Sequence, residues 1–363
     1  MMNYDEFTRV LQQEFQSVLP LSQSQIKRIV VLCRAIILSA RLHLSFLARS
    51  IPMPIQQDSR IRWVRRLLSA RFMTQGLVYQ PVLKTSLAKL RLNEWHLIID
   101  RTNWIDHEVD IVTISLHYHK RAIPLVWQQV KHGGVALAEY VKLVKRCVAL
   151  IPSDARVIFH GDTEFGGAKM IRALRQLRWH FILAQRHHVH FWHIGQAQSQ
   201  ALNTLAVTRR HGQSLSNVDL FASERIGAIQ IVAFWKKEYD KDGKLRREVC
   251  YVATSLPLTR NIRRLGARRW GIEPFHRDYK SSGWQLEQSR FKKDTQRDGL
   301  LICLALCYLL CVCLGRWLCK TGQRALIDNH PKRHLSLFRL GWDFIVHYIN
   351  CRLLIPFRLR LYS

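Results

Sequence analysis

Three acidic residues in this sequence stand where they could act together on a phosphodiester. Asp100 closes the apolar run WHLIID, Asp162 closes VIFHGD, and Glu273 sits within RRWGIEPFHRDYK among Arg269, Arg277 and Lys280. Breaking one phosphodiester and making another needs an attacking oxygen activated and a leaving oxygen stabilised on opposite sides of one phosphorus. Two Mg²⁺ ions roughly 3.5 to 4 Å apart do both. Mg²⁺ keeps several waters and takes one or two carboxylates, so three converging acids suffice for such a pair. The metals and nearby cations offset the repulsion among those acids. If residues 268–280 form a helix turning by about 100° per residue, Arg269, Glu273, Arg277 and Lys280 fall within an arc of roughly 80°. Ile272, Phe275 and Tyr279 then face the core. The polar face is a carboxylate flanked by groups suited to phosphate; an amphipathic surface helix laced with salt bridges is the plainer reading.

The elements that must position these acids follow from the apolar pattern. A basic helical stretch runs from about Ser24 to Phe72, with Ser24 as the expected cap of its first helix. Its last helix, SRIRWVRRLLSARF, carries an apolar stripe of Ile61, Val64, Leu68 and Phe72, with Arg60, Arg62, Arg65, Arg66 and Arg71 around it. It reads as a helix-turn-helix-like DNA reader or as a bundle with a solvated basic face. From Glu94 the pattern turns to strands: WHLIID, DIVTISLHYH and RAIPLVWQQV, then a helix in GVALAEYVKLVKRCVAL. VIFHGD is a fourth strand, GGAKMIRALRQLRW a helix with Met170, Leu174 and Leu177 on one face, and HFILAQR a fifth strand. With a helix carrying Glu273 last, this is the element order of the ribonuclease-H-like fold. In that fold the first and fourth strands lie side by side and bring Asp100 to Asp162. A β-rich insertion at about 187–258 intervenes, including two strands joined at Asp242-Gly243. His187, His188, His190 and His193 within it line DNA or lie on an exposed strand, a structural zinc being the alternative. Asp106 and Asp110 fall in an expected turn, and with Asp278 read as surface or salt-bridge residues; Glu164 lies on the expected rim of the site.

The spacing at the third acid resembles the signature of the insertion-sequence-four (IS-four) family of bacterial DDE transposases: Tyr, two residues, Arg, three, Glu, six, Lys. Arg269, Glu273 and Lys280 match in register, with Trp270 directly after the arginine, DRTNW at the first acid and GDTEFGG at the second. Gly266 stands where the family has tyrosine. The resemblance runs from about Leu44 to Leu314. It implies a transposase that holds two Mg²⁺ ions, replaceable by Mn²⁺, on Asp100, Asp162 and Glu273. Such an enzyme cuts double-stranded DNA at the ends of its element, passes through a hairpin and joins the ends to a target. Arg269, Lys280, Arg277 and Trp270, with Arg62, Arg65 and Arg66, would contact DNA; Trp270 or Trp235 would hold a base extruded at the hairpin, core packing being the other reading. The implied organisation is 1–90 helical and DNA-binding, 91–315 catalytic with its insertion, and 316–363 a basic tail or helices. A homodimer on DNA is expected.

Composition agrees. With 56 Lys and Arg against 26 Asp and Glu, the 363-residue chain has a formal charge of +30, and its pI is about 10.4. So large an excess suits a polyanionic partner, which duplex DNA is. The nine cysteines show no paired CxxC spacing, and three of them, Cys303, Cys307 and Cys311, recur at helical intervals in an apolar run. They read as reduced core residues of a cytosolic protein, and the resemblance implies a cytoplasmic, nucleoid-associated bacterial one. LLICLALCYLLCVCL is shorter than the ~20 residues a bilayer span needs and reads as a buried helix, so no membrane partner is expected. A catalytically silent DNA-binding relic or regulator at element ends is the runner-up.

Overall fold

The computed structural model describes residues 5–105, 108–221, 224–239, 245–353 and 359–362. Asp106 and the Asp242-Gly243 turn lie outside the described residues. Five helices come first: α1 (Glu6–Gln16), α2 (Gln23–Ser39), α3 (Leu44–Arg49), α4 (Gln57–Leu68) and α5 (Gln80–Leu87). Strands β1 (Trp95–Ile105), β2 (Val109–Tyr118) and β3 (Arg121–Lys131) lead to α6 (Leu137–Val148), β4 (Val157–Gly161), α7 (Ala168–Gln176) and β5 (His180–Gln185). Then come β6 (His190–His193), β7 (Gln200–Ala201), β8 (Gln213–Leu220), β9 (Ile229–Tyr239) and β10 (Leu245–Thr254). Helices α8 (Ile262–Gly266), α9 (Ile272–Tyr279), α10 (Asp294–Lys320) and α11 (Leu337–Cys351) complete the chain. It divides into two compact units, Met1–Leu92 with Phe275–Ser363, and Asn93–Pro274.

The first unit is helical. Ser22, not Ser24, caps α2, because Gln25 three residues on returns the bond and closes a capping box. Helix α4 stops at Leu68, so Phe72 lies beyond it and Leu67 joins Val64 and Leu68 in the buried stripe. Arg62, Arg65 and Arg66 are exposed. Helices α1 and α5 arise outside the basic stretch that the sequence marks out. At the centre is α10, 27 residues long with an 18-residue apolar window of mean hydropathy 2.3, long and apolar enough to cross a membrane. In this unit 94% of that apolar window is buried, against α2, α4, α5 and α11. A helix apolar all round needs such a jacket. Its cysteines Cys303, Cys307, Cys311 and Cys313 are buried, and all nine cysteines of the chain are free thiols.

The second unit is built on one ten-stranded sheet, ordered β3-β2-β1-β4-β5-β10-β9-β8-β6-β7. β1, β2 and β3 are antiparallel, with His119 and Lys120 both at positive φ in the tight turn between β2 and β3. β4 runs parallel to β1 and to β5. The sequence's expectation that the first and fourth strands are neighbours is met. The insertion adds β10 antiparallel to β5, so that it continues the same sheet. Ile158, Ile182, Val252, Leu256 and Ile262 form a buried cluster that fastens α8 over β4, β5 and β10. On α7, Ile171 is buried with Met170 and Leu174, while Leu177 is the cap residue.

Candidate active site

Asp100 is not the last residue of its strand. It pairs with Thr113 of β2, and β1 runs on to Ile105 because β2 follows it that far. The ladder with β4 is shorter: its last pairs are Leu97 with Phe159 and Ile98 with His160. Carried two residues further, that register sets Asp100 opposite Asp162, which directly follows β4. Strand alternation puts both acids on the face that also carries His96 and His160. The two acids are close enough for Asp100 to act on the Asp162 carboxyl. Burial raises its carboxyl above the ordinary value of 3.8, the Glu164 N–H lowers it, Asp100 raises it, and Arg269 and Arg101 lower it.

The turn after β4 is tightly held. The Glu164 N–H donates to Asp162 Oδ1 at 2.9 Å and the Phe165 N–H to the Asp162 carbonyl at 3.1 Å. GDTEFGG needs its glycines for space: a Cβ on Gly166 would lie 2.4 Å from the Ala184 carbonyl oxygen, and one on Gly161 about 3.0 Å from the Phe165 Cβ. Beneath the acids, His96 Nδ1 meets His160 Nε2 at 2.9 Å with both rings buried. Burial, then the charge of Arg268, push His96 down to about 4.

The third acid is placed differently from the expectation. Residues 268–280 do not form one helix: Ala267–Gly271 is a 3₁₀ turn and α9 begins at Ile272. The reason is Pro274, which has no N–H for the Trp270 carbonyl and whose ring would clash with it, so an α-helix cannot run back through residue 270. Arg269 and Glu273 therefore share no α-helical face. Ile272, Phe275 and Tyr279 are buried as expected. Glu273 and Arg277 are exposed. Lys280 is mostly buried, with its Nζ 2.9 Å from Glu287 Oε1, so it is held by a carboxylate of its own. Asp278 is 6% exposed, a core residue and not a surface one. Asp110 likewise is buried on β2 instead of lying in a turn, paired with Arg101 and His132. Among the described residues no three His, Cys, Asp or Glu side chains are grouped closely enough to hold one ion, the insertion's histidines included. The structure thus brings Asp100 and Asp162 together and leaves Glu273 outside that pair.

Beside Asp162 opens a cleft of about 610 Å³, lined by Gly161, Arg209, Trp235, Lys236, Arg263, Gly266, Arg269 and Trp270 among others. Trp270 lies close to two cations, with Lys236 Nζ 3.8 Å and Arg269 Cζ 4.7 Å from its ring centre. Trp235 donates its indole N–H to the Val207 carbonyl at 3.0 Å. Gly266 ends α8 in ordinary helical geometry, and a Cβ there would meet only Ile182 Cγ2 at 3.4 Å. Its lack of a side chain widens the cleft. Lys236 and Arg209 are not legible as site residues, since only the folding of the insertion against β5 brings them there, and Arg263 arrives with α8.

The profile of the family described as "Transposase DDE domain" matches residues 116–310. That is more than half of the chain, and the chain belongs to this family: it is a transposase enzyme. The matched range includes Asp162 and Glu273 and begins after Asp100. Enzymes of the family generally use divalent metal ions. Among curated proteins none matches the sequence. Among solved structures, a piggyBac transposase in a synaptic complex with hairpin DNA is similar at 12% identity with a TM-score of 0.44, over 98% of this chain and 83% of that one. The adjacent acids fit a divalent cation chemically. They are hard oxygen donors, and Asp162, raised by burial first and by Asp100 after it, is a carboxylate whose charge a cation would stabilise.

Proposed function

We propose that the protein is an IS-four-type transposase acting by cut and paste on double-stranded DNA. The observation that carries this is the juxtaposition of Asp100 and Asp162 at the end of the β1–β4 ladder, beside a basic and aromatic cleft. The strand order β3-β2-β1-β4-β5 supports a ribonuclease-H-like catalytic core with β6–β10 as its insertion. Asp100 and Asp162 would hold the divalent ions, two Mg²⁺ or Mn²⁺ per site, and Glu273 is the third ligand of this reading. Bound there, the ions would supply activation of the attacking oxygen and stabilisation of the leaving one. Glu273 is exposed on the first turn of α9, and we assign its engagement to the DNA-bound state.

The remaining roles belong to the chain's own groups. Arg269, Lys236, Arg263 and Arg209 give the cleft the charge to hold phosphates against the acids. Trp270, whose ring Lys236 and Arg269 approach, would receive a base extruded at a hairpin as one of these cations moves to a phosphate, and Trp235 is the second aromatic of this kind. The exposed Arg62, Arg65 and Arg66 of α4 would grip phosphates of the element ends, with Arg277 and Lys280 contributing, Lys280 after release from Glu287. Two copies of the chain would bring two ends together as a homodimer. The separation of Glu273 from the other acids favours a second reading, a silent binder of element ends. Incubating the protein with DNA carrying the element ends, with and without Mg²⁺, separates the two: nicked and hairpin products that need Mg²⁺ support the enzyme, and binding without any cleavage supports the silent form.

A further inference from the structure

The ladder between β1 and β4 ends at Ile98 and His160, so backbone pairing does not set the spacing of the two acids beyond it. Something else must, because two carboxylates without a cation push each other apart. A side-chain network behind the acids has that reach. Glu164 follows Asp162 by two residues, and its N–H fixes Asp162 Oδ1. Its carboxylate reaches across to β1, where Oε2 lies 3.1 Å from Arg101 Nε, one residue from Asp100. Its Oε1 accepts the hydroxyl proton of Tyr140 on α6. Arg101 is anchored further, 3.5 Å from Asp110 Oδ2 and donating to the Gly133 carbonyl. Asp110 is itself 3% exposed and accepts from Asn103 at 2.9 Å. The turn is pinned from its other end as well: Gln185 Nε2 donates to the Gly166 carbonyl at 3.1 Å, and Phe165 packs edge-on to Tyr140 with ring centres 4.9 Å apart.

We propose that Glu164, clamped by Arg101 and Tyr140, is a positioning residue that fixes the separation of Asp100 from Asp162 and thereby the affinity of the pair for divalent cations. The proposal rests on the reading that this pair holds the ions. Both Glu164 oxygens are engaged, one by Arg101, which leaves β1 on the face opposite Asp100, and the other by Tyr140 of α6. Glu164 therefore acts through Asp162 and is not a ligand. Removing a partner that orients a ligand in this way typically costs about 10- to 100-fold in metal affinity.

The test is Mn²⁺ binding to the full chain, followed by electron paramagnetic resonance of the free ion, with thermal melts to verify folding. Asp100→Asn and Asp162→Asn should lose binding. Tyr140→Phe, which removes no carboxylate and keeps the ring, should weaken Mn²⁺ about tenfold, as should Glu164→Gln. The double variant should be no weaker than Glu164→Gln by more than about twofold, because the two changes break one network. Arg101→Lys keeps the charge but loses the fixed fork, and should weaken binding similarly; it serves if Tyr140→Phe does not fold. Tyr140→Phe and Arg101→Lys that bind like the parent, while the Asp→Asn variants do not, would overturn the positioning role alone. Unchanged binding in the Asp→Asn variants would instead refute the ion site, and the positioning role with it.

Discussion

Asp162 is held against its own preference. Burial raises its carboxyl above 3.8 and Asp100 adds to this, so the folded state carries an acid that the unfolded chain ionises more easily. Removing the charge should therefore relieve the fold while ending the chemistry, the trade expected of a functional group. Asp162→Asn should melt higher than the parent in the absence of metal, because the fold no longer has to bury that charge. A lower melting temperature would mean that the acid is structurally needed. His96 gives a second prediction, with the sign worked out from its depressed value. The folded imidazole titrates at about 4 against 6.5 in the free side chain. Between these values the unfolded chain binds the extra proton, so the stability this group provides is complete above 6.5 and is lost as the pH falls to 4. The loss amounts to about 3 kcal/mol from His96 alone. Urea midpoints measured from pH 7.5 to 5 should fall steeply in the parent and less so in His96→Gln. Equal slopes would show that His96 is not the group responsible.

Helix α10 meets α11 almost backbone to backbone. A Cβ on Gly341 would lie 1.8 Å from the Cys311 carbonyl oxygen, and one on Gly315 would lie 1.9 Å from that of Leu337. Backbone cannot yield as a side chain does, so Gly341→Ala should cost about 1–3 kcal/mol or more by forcing the helices apart, read as a drop in the urea midpoint. An unchanged midpoint would mean that this crossing adjusts freely. The same elements show what the sequence could and could not convey. Strands β1 to β5 and helices α6 and α7 are legible because their short apolar runs and period-3.6 apolar patterns are strong. Asp100 and Asp162 were legible because each ends an apolar run. The neighbourhood of Glu273 was misjudged because angular projection assumes one continuous helix, and Pro274 forbids it. The pairings of Lys280 with Glu287 and of Glu164 with Tyr140 were hidden, since both partners lie far along the chain or on another element. The letters SQSQ hold two serines, and only Ser22 has a glutamine three residues on, Gln25, to close the capping box, which places the cap two positions before Ser24.

At the scale of the whole molecule, the charge of +30 is what a polyanion would answer. If Arg62, Arg65 and Arg66 each neutralise a phosphate, replacing all three by Ala should flatten the slope of log affinity against log salt by about 2 to 3. A slope unchanged in the triple variant would put the recognition surface elsewhere on the molecule. The central claim is that Asp100, Asp162 and Glu273 together do the cutting, although only the first two are neighbours in the free protein. The most direct measurement is cleavage of labelled DNA carrying the element ends in Mg²⁺, by the parent and by Asp100→Ala, Asp162→Ala and Glu273→Ala, with end binding measured in parallel. All three variants should bind the ends within about threefold of the parent, since cations do the holding, and none should nick. Near-normal nicking by any one of them would contradict the account for that residue, and for Glu273 it would mean that two carboxylates suffice.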